Sequence, residues 1–101
     1  MTYDLFTSDL ILEQVYELRL SQTEKELVQQ KLNLALENPF RNKAITAPGL
    51  TKIFEIKITL KGIYKRIIYS IDNNTLRAEC IIDRKNDFND LLKLLKKARE
   101  T

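Results

Sequence analysis

Two cations raise the question of chemistry. Lys57 and Arg66 lie in neighbouring segments, residues 54–60 and 63–72, where apolar and polar side chains alternate. Between them Lys61-Gly62 suits a tight turn. If Leu60 faces Ile63 across that turn, Lys57 falls directly opposite Arg66, because paired residues share a face. Like charges facing each other across a sheet weaken it unless an anion lies between them. The register itself therefore points to an anion-binding face, against the plainer reading of a solvated face whose charges discourage edge aggregation.

Composition removes several other chemistries. The 101 residues contain no histidine and one cysteine, Cys80. That excludes a His-based zinc site, a Ser-His-Asp arrangement and an intramolecular disulfide, and no cofactor or metal is expected. Cys80 alternates with apolar neighbours and reads as an inert core residue. Net charge is +3 but uneven: 5 basic and 7 acidic residues up to Gly49, then 12 basic and 7 acidic from Leu50 onward. A basic C-terminal half hints at a polyanionic partner. No apolar run approaches the roughly 20 residues of a membrane span, and the start Met1-Thr2-Tyr3-Asp4 lacks the plan of a signal peptide, so a cytoplasmic protein without membrane contact is expected.

The elements that must position these cations follow from the periods. With 44% hydrophobic residues and no repeat or low-complexity stretch, residues 1–101 read as a single domain. Residues 2–6 suit an edge strand. Ser8 can cap a first helix over 9–18, and Ser21-Gln22-Thr23-Glu24 is a capping box opening a second, which Asn38-Pro39 ends. Three antiparallel strands follow, the last over 75–83 after a turn at Asn73-Asn74. An amphipathic segment, 88–99, either packs on the sheet or lies loosely, its leucines then free to dock another protein. The fold class is α+β, a helical hairpin on a small antiparallel sheet, in the order β-α-α-β-β-β-α.

Carrying the register through both turns places Phe54, Ile56, Ile58, Ile67, Tyr69, Ile71, Leu76, Ala78, Cys80 and Ile82 on one face, a core for the helices. Glu55, Lys57, Thr59, Tyr64, Arg66, Ile68, Ser70, Arg77, Glu79, Ile81 and Asp83 fall on the other.

Several short motifs, in this order, resemble the RelE/ParE toxin superfamily. Leu36-Glu37-Asn38-Pro39-Phe40 closes the second helix. Ile53-Phe54-Glu55-Ile56-Lys57-Ile58 looks like the family's second strand. Tyr64-Lys65-Arg66-Ile67-Ile68-Tyr69 looks like its Tyr-Arg-hydrophobic-hydrophobic-Tyr strand with one inserted lysine, and Asp83-Arg84-Lys85-Asn86-Asp87-Phe88 like its His-Arg-x-Asp-Val-Tyr ending. The resemblance covers most of the chain and implies catalytic roles for Lys57, Arg66 and Arg84, the positions that match the family's basic residues. Attack of a ribose 2′-OH on the adjacent phosphate builds charge on phosphoryl oxygens, which clustered Lys and Arg can stabilise without a metal. Glu55 and Asp83 are candidate proton acceptors or ion-pair partners. Tyr64 and Phe88 are candidates for stacking on substrate or for packing. Asp83 stands where many relatives have histidine, and Phe88 where active ones have tyrosine.

By resemblance, the expected function is a type II toxin: a ribosome-dependent, metal-independent mRNA endoribonuclease neutralised by a cognate antitoxin. The alternatives are a ParE-like inhibitor of DNA gyrase, and a catalytically degenerate relative that acts only as a protein-binding module.

Overall fold

Capping hydrogen bonds start all three helices found among the described residues. Ser8 Oγ accepts from the Ile11 amide at 3.0 Å and opens α1 (Asp9–Glu17). In the capping box of α2 (Gln22–Glu37), the Glu24 amide donates to Ser21 Oγ at 3.2 Å and the Ser21 amide to Glu24 Oε1 at 3.1 Å. A second box, Asp87 with Asp90, opens α3 (Phe88–Ala98). The strands of this computed structural model, which describes residues 3–46 and 49–100, are β1 (Asp4–Thr7), β2 (Lys43–Ala44), β3 (Ile53–Leu60), β4 (Ile63–Asp72) and β5 (Thr75–Asp83). Among the described residues no helix is long and apolar enough to cross a membrane.

The expected element order is present, and so are the pairs Leu60 with Ile63, Lys57 with Arg66 and Asp72 with Thr75. The sheet is larger than expected and mixed. Its order is β1-β5-β4-β3-β2, with β1 parallel to β5 and β2 added antiparallel to β3. The edge strand lies at 4–7 rather than 2–6; Thr2 lies outside the described residues.

The face assignment of β5 needs correction. Ile68 pairs with Cys80 but Tyr69 with Ala78, so Glu79 is an extra residue, a β-bulge that inverts the faces of the strand beyond it. Leu76, Ala78 and Ile81 join Ile67, Tyr69 and Ile71 under α1 and α2. Cys80 and Ile82, expected there, lie instead on the opposite face with Ile53 and Ile68, against Leu91, Leu95 and Ala98 of α3. That face is thus half covered rather than wet, and the apolar side of α3 is buried rather than free for docking. Burial, and secondarily the charge of Glu79, push the Cys80 thiol up to about 12, which fits the inert role expected of it.

Beyond β1 the outer edge of β5 would expose backbone groups, and α1 takes them. Ser8 Oγ donates to the Glu79 carbonyl at 2.6 Å. Gln14 receives the Ile81 amide at 2.7 Å and donates to its carbonyl at 2.8 Å. At the other end of the sheet, Lys61 and Gly62 both adopt positive φ, 54° and 72°, in the two-residue turn between β3 and β4. The Lys61 amide donates to Glu24 Oε2 at 2.7 Å, tying this turn to the start of α2.

Hydrogen bonds from the Lys61 and Ser21 amides hold the Glu24 carboxyl below its ordinary 4.5. A lowered folded value stabilises the fold above the unfolded value and ceases to do so as pH falls through the folded one. Glu24→Gln is therefore expected to lower the melting temperature at neutral pH. The gap from wild type should close as pH drops below 4.5 in a thermal-unfolding series.

Candidate nucleic-acid interface

The open end of the β3-β4 hairpin gathers the candidate residues. Lys57 and Arg66 sit opposite each other, yet they behave differently. Arg66 Nη1 donates to Glu55 Oε2 at 2.9 Å, and Nη2 reaches the carbonyls of Asn86 at 3.2 Å, Arg84 at 3.4 Å and Asp83 at 3.5 Å. Its side chain is 20% exposed and that of Glu55 6%. Arg66 is therefore a brace between β3 and the 84–86 loop. The anion that relieves its repulsion with Lys57 is the protein's own Glu55. Lys57 is exposed and has no carboxylate partner among the described residues.

Asp83 is committed in a similar way. Its carboxylate receives Lys65 Nζ, while its amide donates to Asn86 Oδ1 at 2.7 Å. Asn86 Nδ2 in turn donates to Asp90 at 3.1 Å, so the loop that carries Arg84 is anchored at both ends. The Arg84 amide donates to the Tyr64 carbonyl at 3.2 Å, and its guanidinium stands 5.7 Å from the centre of the Tyr64 ring, a cation-π contact. Tyr64 is 65% exposed. Phe88 opens α3 and lines neither of the two depressions that adjoin these residues.

One depression contains Lys57, Tyr64, Lys65 and Arg84 together with Lys31 and Leu27 of α2. The other, of about 380 Å³, contains Glu55, Lys57 and Lys31 with Arg41, Asn42 and Lys43. Lys31 and Lys57 border both, so the two form one groove along the free edge of β3. The fold brings Lys57, Tyr64 and Arg84 onto this groove, together with the Glu55 carboxylate. Arg66 and Asp83 serve as supports behind it.

Lys31, Arg41 and Lys43 were not read from the sequence. Basic residues follow Pro39 there, but nothing in a two-residue strand announces that Lys43 will pair with Glu55. Their placement is nonetheless firm. Tyr69, fully buried and stacked on Phe54 at 5.3 Å, donates its hydroxyl to the Pro39 carbonyl at 2.5 Å and accepts from Asn42 Nδ2 at 3.2 Å. Burial raises the Tyr69 hydroxyl above its ordinary 10.0 and so keeps the donating proton in place, although the Asn42 hydrogen bond partly opposes the shift. The segment is closed by the Ile45 amide donating to the Ile53 carbonyl at 2.8 Å.

No protein-family model matches the chain, and no curated protein matches it. Solved structures do. An arginine-to-alanine double mutant of the E. coli toxin RelE in the free state superposes with a TM-score of 0.68 at 20% identity, covering 99% of this chain and 97% of that one. A chain of the intact E. coli RelBE toxin-antitoxin complex gives 0.60 at 24%, covering 83% and 99%. The isolated E. coli RelE toxin gives 0.58 at 22%, covering 94% and 98%. The chain has the RelE fold, as its motif order implied.

A brace and a free cation differ in stability. Arg66→Ala leaves Glu55 buried without its partner and is expected to cost about 2–3 kcal/mol in urea unfolding. Lys57→Ala should stay within about 0.5 kcal/mol of wild type.

Proposed function

We propose that this protein is a type II toxin acting as a ribosome-dependent mRNA endoribonuclease, with Lys57 and Arg84 as the cations that stabilise the transition state. The observation that carries the reading is a groove holding these two cations, neither with a carboxylate partner among the described residues, beside an exposed Tyr64 on a RelE fold.

The bonds that form and break all lie within the RNA strand. A ribose 2′-oxygen forms a bond to the neighbouring phosphorus, the bond to the 5′-oxygen breaks, and a cyclic phosphate and a free 5′-hydroxyl result. Negative charge grows on the non-bridging oxygens, where the Lys57 ammonium and the Arg84 guanidinium stabilise it. Tyr64 offers a base a face to stack on. Arg66 positions Arg84 by holding the loop carbonyls, and Glu55 holds Arg66. Asp83 keeps Lys65 and the loop in register. In this scheme both carboxylates are charge partners, and groups supplied on the ribosome or by solvent take the proton from the 2′-OH and return one to the departing 5′-oxygen. Phe88, at the start of α3, is a candidate contact for the substrate strand or for packing.

The partner that silences such a toxin is a cognate antitoxin, a reading supported by the similarity to a chain of the RelBE toxin-antitoxin complex. Cytoplasmic location follows from a ribosomal target. A ParE-like gyrase inhibitor is the second reading, favoured by Asp83 and Phe88 standing where active RelE-like sequences have histidine and tyrosine. A binding module without toxicity is a third.

Induced expression with primer extension on translated mRNA tests the proposal. Wild type is expected to arrest growth and leave discrete cleavage ends, and Lys57→Ala and Arg84→Ala each to cut about 100-fold more slowly. Growth arrest with intact mRNA and altered plasmid supercoiling would move the assignment to gyrase. No arrest together with tight antitoxin binding would leave the binding module.

A further inference from the structure

We infer that the groove continues as a phosphate track away from the reacting centre, in which Arg41, Lys43 and Lys31 hold the backbone of the same single-stranded RNA. The inference rests on the reading of Lys57 and Arg84 as an RNA site and extends it to residues that reading does not use.

Lys43 pairs with Glu55, and Lys57 follows two residues further along β3, so the two ammonium-bearing positions share a face and lie about 7 Å apart along the strand. Lys31 of α2 and Arg41, two residues before Lys43, line the same depression. None of Lys31, Arg41 and Lys43 has a carboxylate partner among the described residues. The one carboxylate lining this depression, Glu55, already accepts from Arg66 at 2.9 Å. The result is a row of uncompensated positive charge, which is costly unless an anion occupies it.

These cations are also held on an ordered frame. The buried Tyr69 hydroxyl grips Pro39 and Asn42 on either side of Arg41, and the Lys43 backbone is in the sheet. Fixed cations along an open groove suit the regular charge of a nucleic-acid strand. An acidic protein segment would in addition seek apolar anchor pockets, and Leu34 and Ile56 are the only large apolar side chains on this wall.

The test uses fluorescence anisotropy with 2′-O-methyl RNA, which cannot be cut, at about 12 nucleotides and at about 3. For the variant Arg41→Gln/Lys43→Gln, which spares Lys31 because it also borders the reacting centre, the slope of log affinity against log salt on the long RNA is expected to become shallower by about 1.4, at about 0.7 per lost phosphate contact. The short RNA should bind wild type and variant alike, and an unchanged melting temperature controls for folding. Lys57→Gln should weaken both lengths. If the double variant keeps the wild-type slope while Lys57→Gln weakens binding, the track is overturned and the reacting centre stands. If Lys57→Gln is also without effect, the RNA reading itself fails. If the double variant loses more affinity for a polyglutamate peptide than for RNA, the wall is an acidic-protein site and the track is likewise overturned.

Discussion

One extra residue in β5 decides how this sheet is used. Glu79 bulges between the pairs Ile68-Cys80 and Tyr69-Ala78, and every side chain beyond it changes face. Without the bulge, Cys80 and Ile82 would crowd under the helical hairpin and Ile81 would stand in solvent. With it, the sheet has two apolar faces, one for α1 and α2 and one for α3. The bulge also buries a carboxylate completely. Ser70 Oγ donates to Glu79 at 3.0 Å and Arg99, at the end of α3, donates to it at 2.9 and 3.1 Å. All three hydrogen bonds land on Oε2, while Oε1 has no hydrogen bond and only the Arg77 guanidinium 3.8 Å away, so the buried charge is paired chiefly with Arg99. The same residue that inverts the strand thus pins the last turn of α3 to it.

Where α3 packs determines what stays open. Its buried residues Leu91, Leu95 and Ala98 cover Ile53, Ile68, Cys80 and Ile82. The hairpin end of that face, with Lys57, Thr59 and Tyr64, is left to solvent. Arg66 stands at the boundary, 20% exposed, and turns its guanidinium toward Glu55 and the loop rather than outward. The cations therefore divide into two kinds. Arg66 and Lys65 are neutralised by Glu55 and Asp83, and they hold the frame. Lys57 and Arg84 have no such partner and carry the unspent charge.

Much of this was legible in the sequence because it depends on local rules. The Ser8 cap, the Ser21-Glu24 box, the Lys61-Gly62 turn and the alternation on either side of it each depend on neighbours a few residues apart. They were enough to set Lys57 against Arg66. The bulge was not legible, since Leu76, Ala78, Cys80 and Ile82 alternate without a break and both registers bury apolar side chains. The pairing of Ile68 with Cys80 and of Tyr69 with Ala78 shows which one the chain adopts. The Lys31, Arg41 and Lys43 wall was hidden as well: it is assembled by Tyr69, which reaches from the middle of β4 to the end of α2.

The pairing of Glu55 with Arg66 shows how a charge pattern can mislead when read in one dimension. Two facing cations suggest a site for an external anion, and here an internal carboxylate, two residues from Lys57 along β3, takes one of them. The remaining cation is then more available than the pair would have been. A bound strand would have to displace only solvent from Lys57, whereas recruiting Arg66 would break a hydrogen bond to Glu55 and leave that carboxylate buried and unpaired. On the proposed RNA reading, a strand at this edge would bind at least cost on the outer row of cations, with Arg66 keeping the loop and Arg84 in place beneath it.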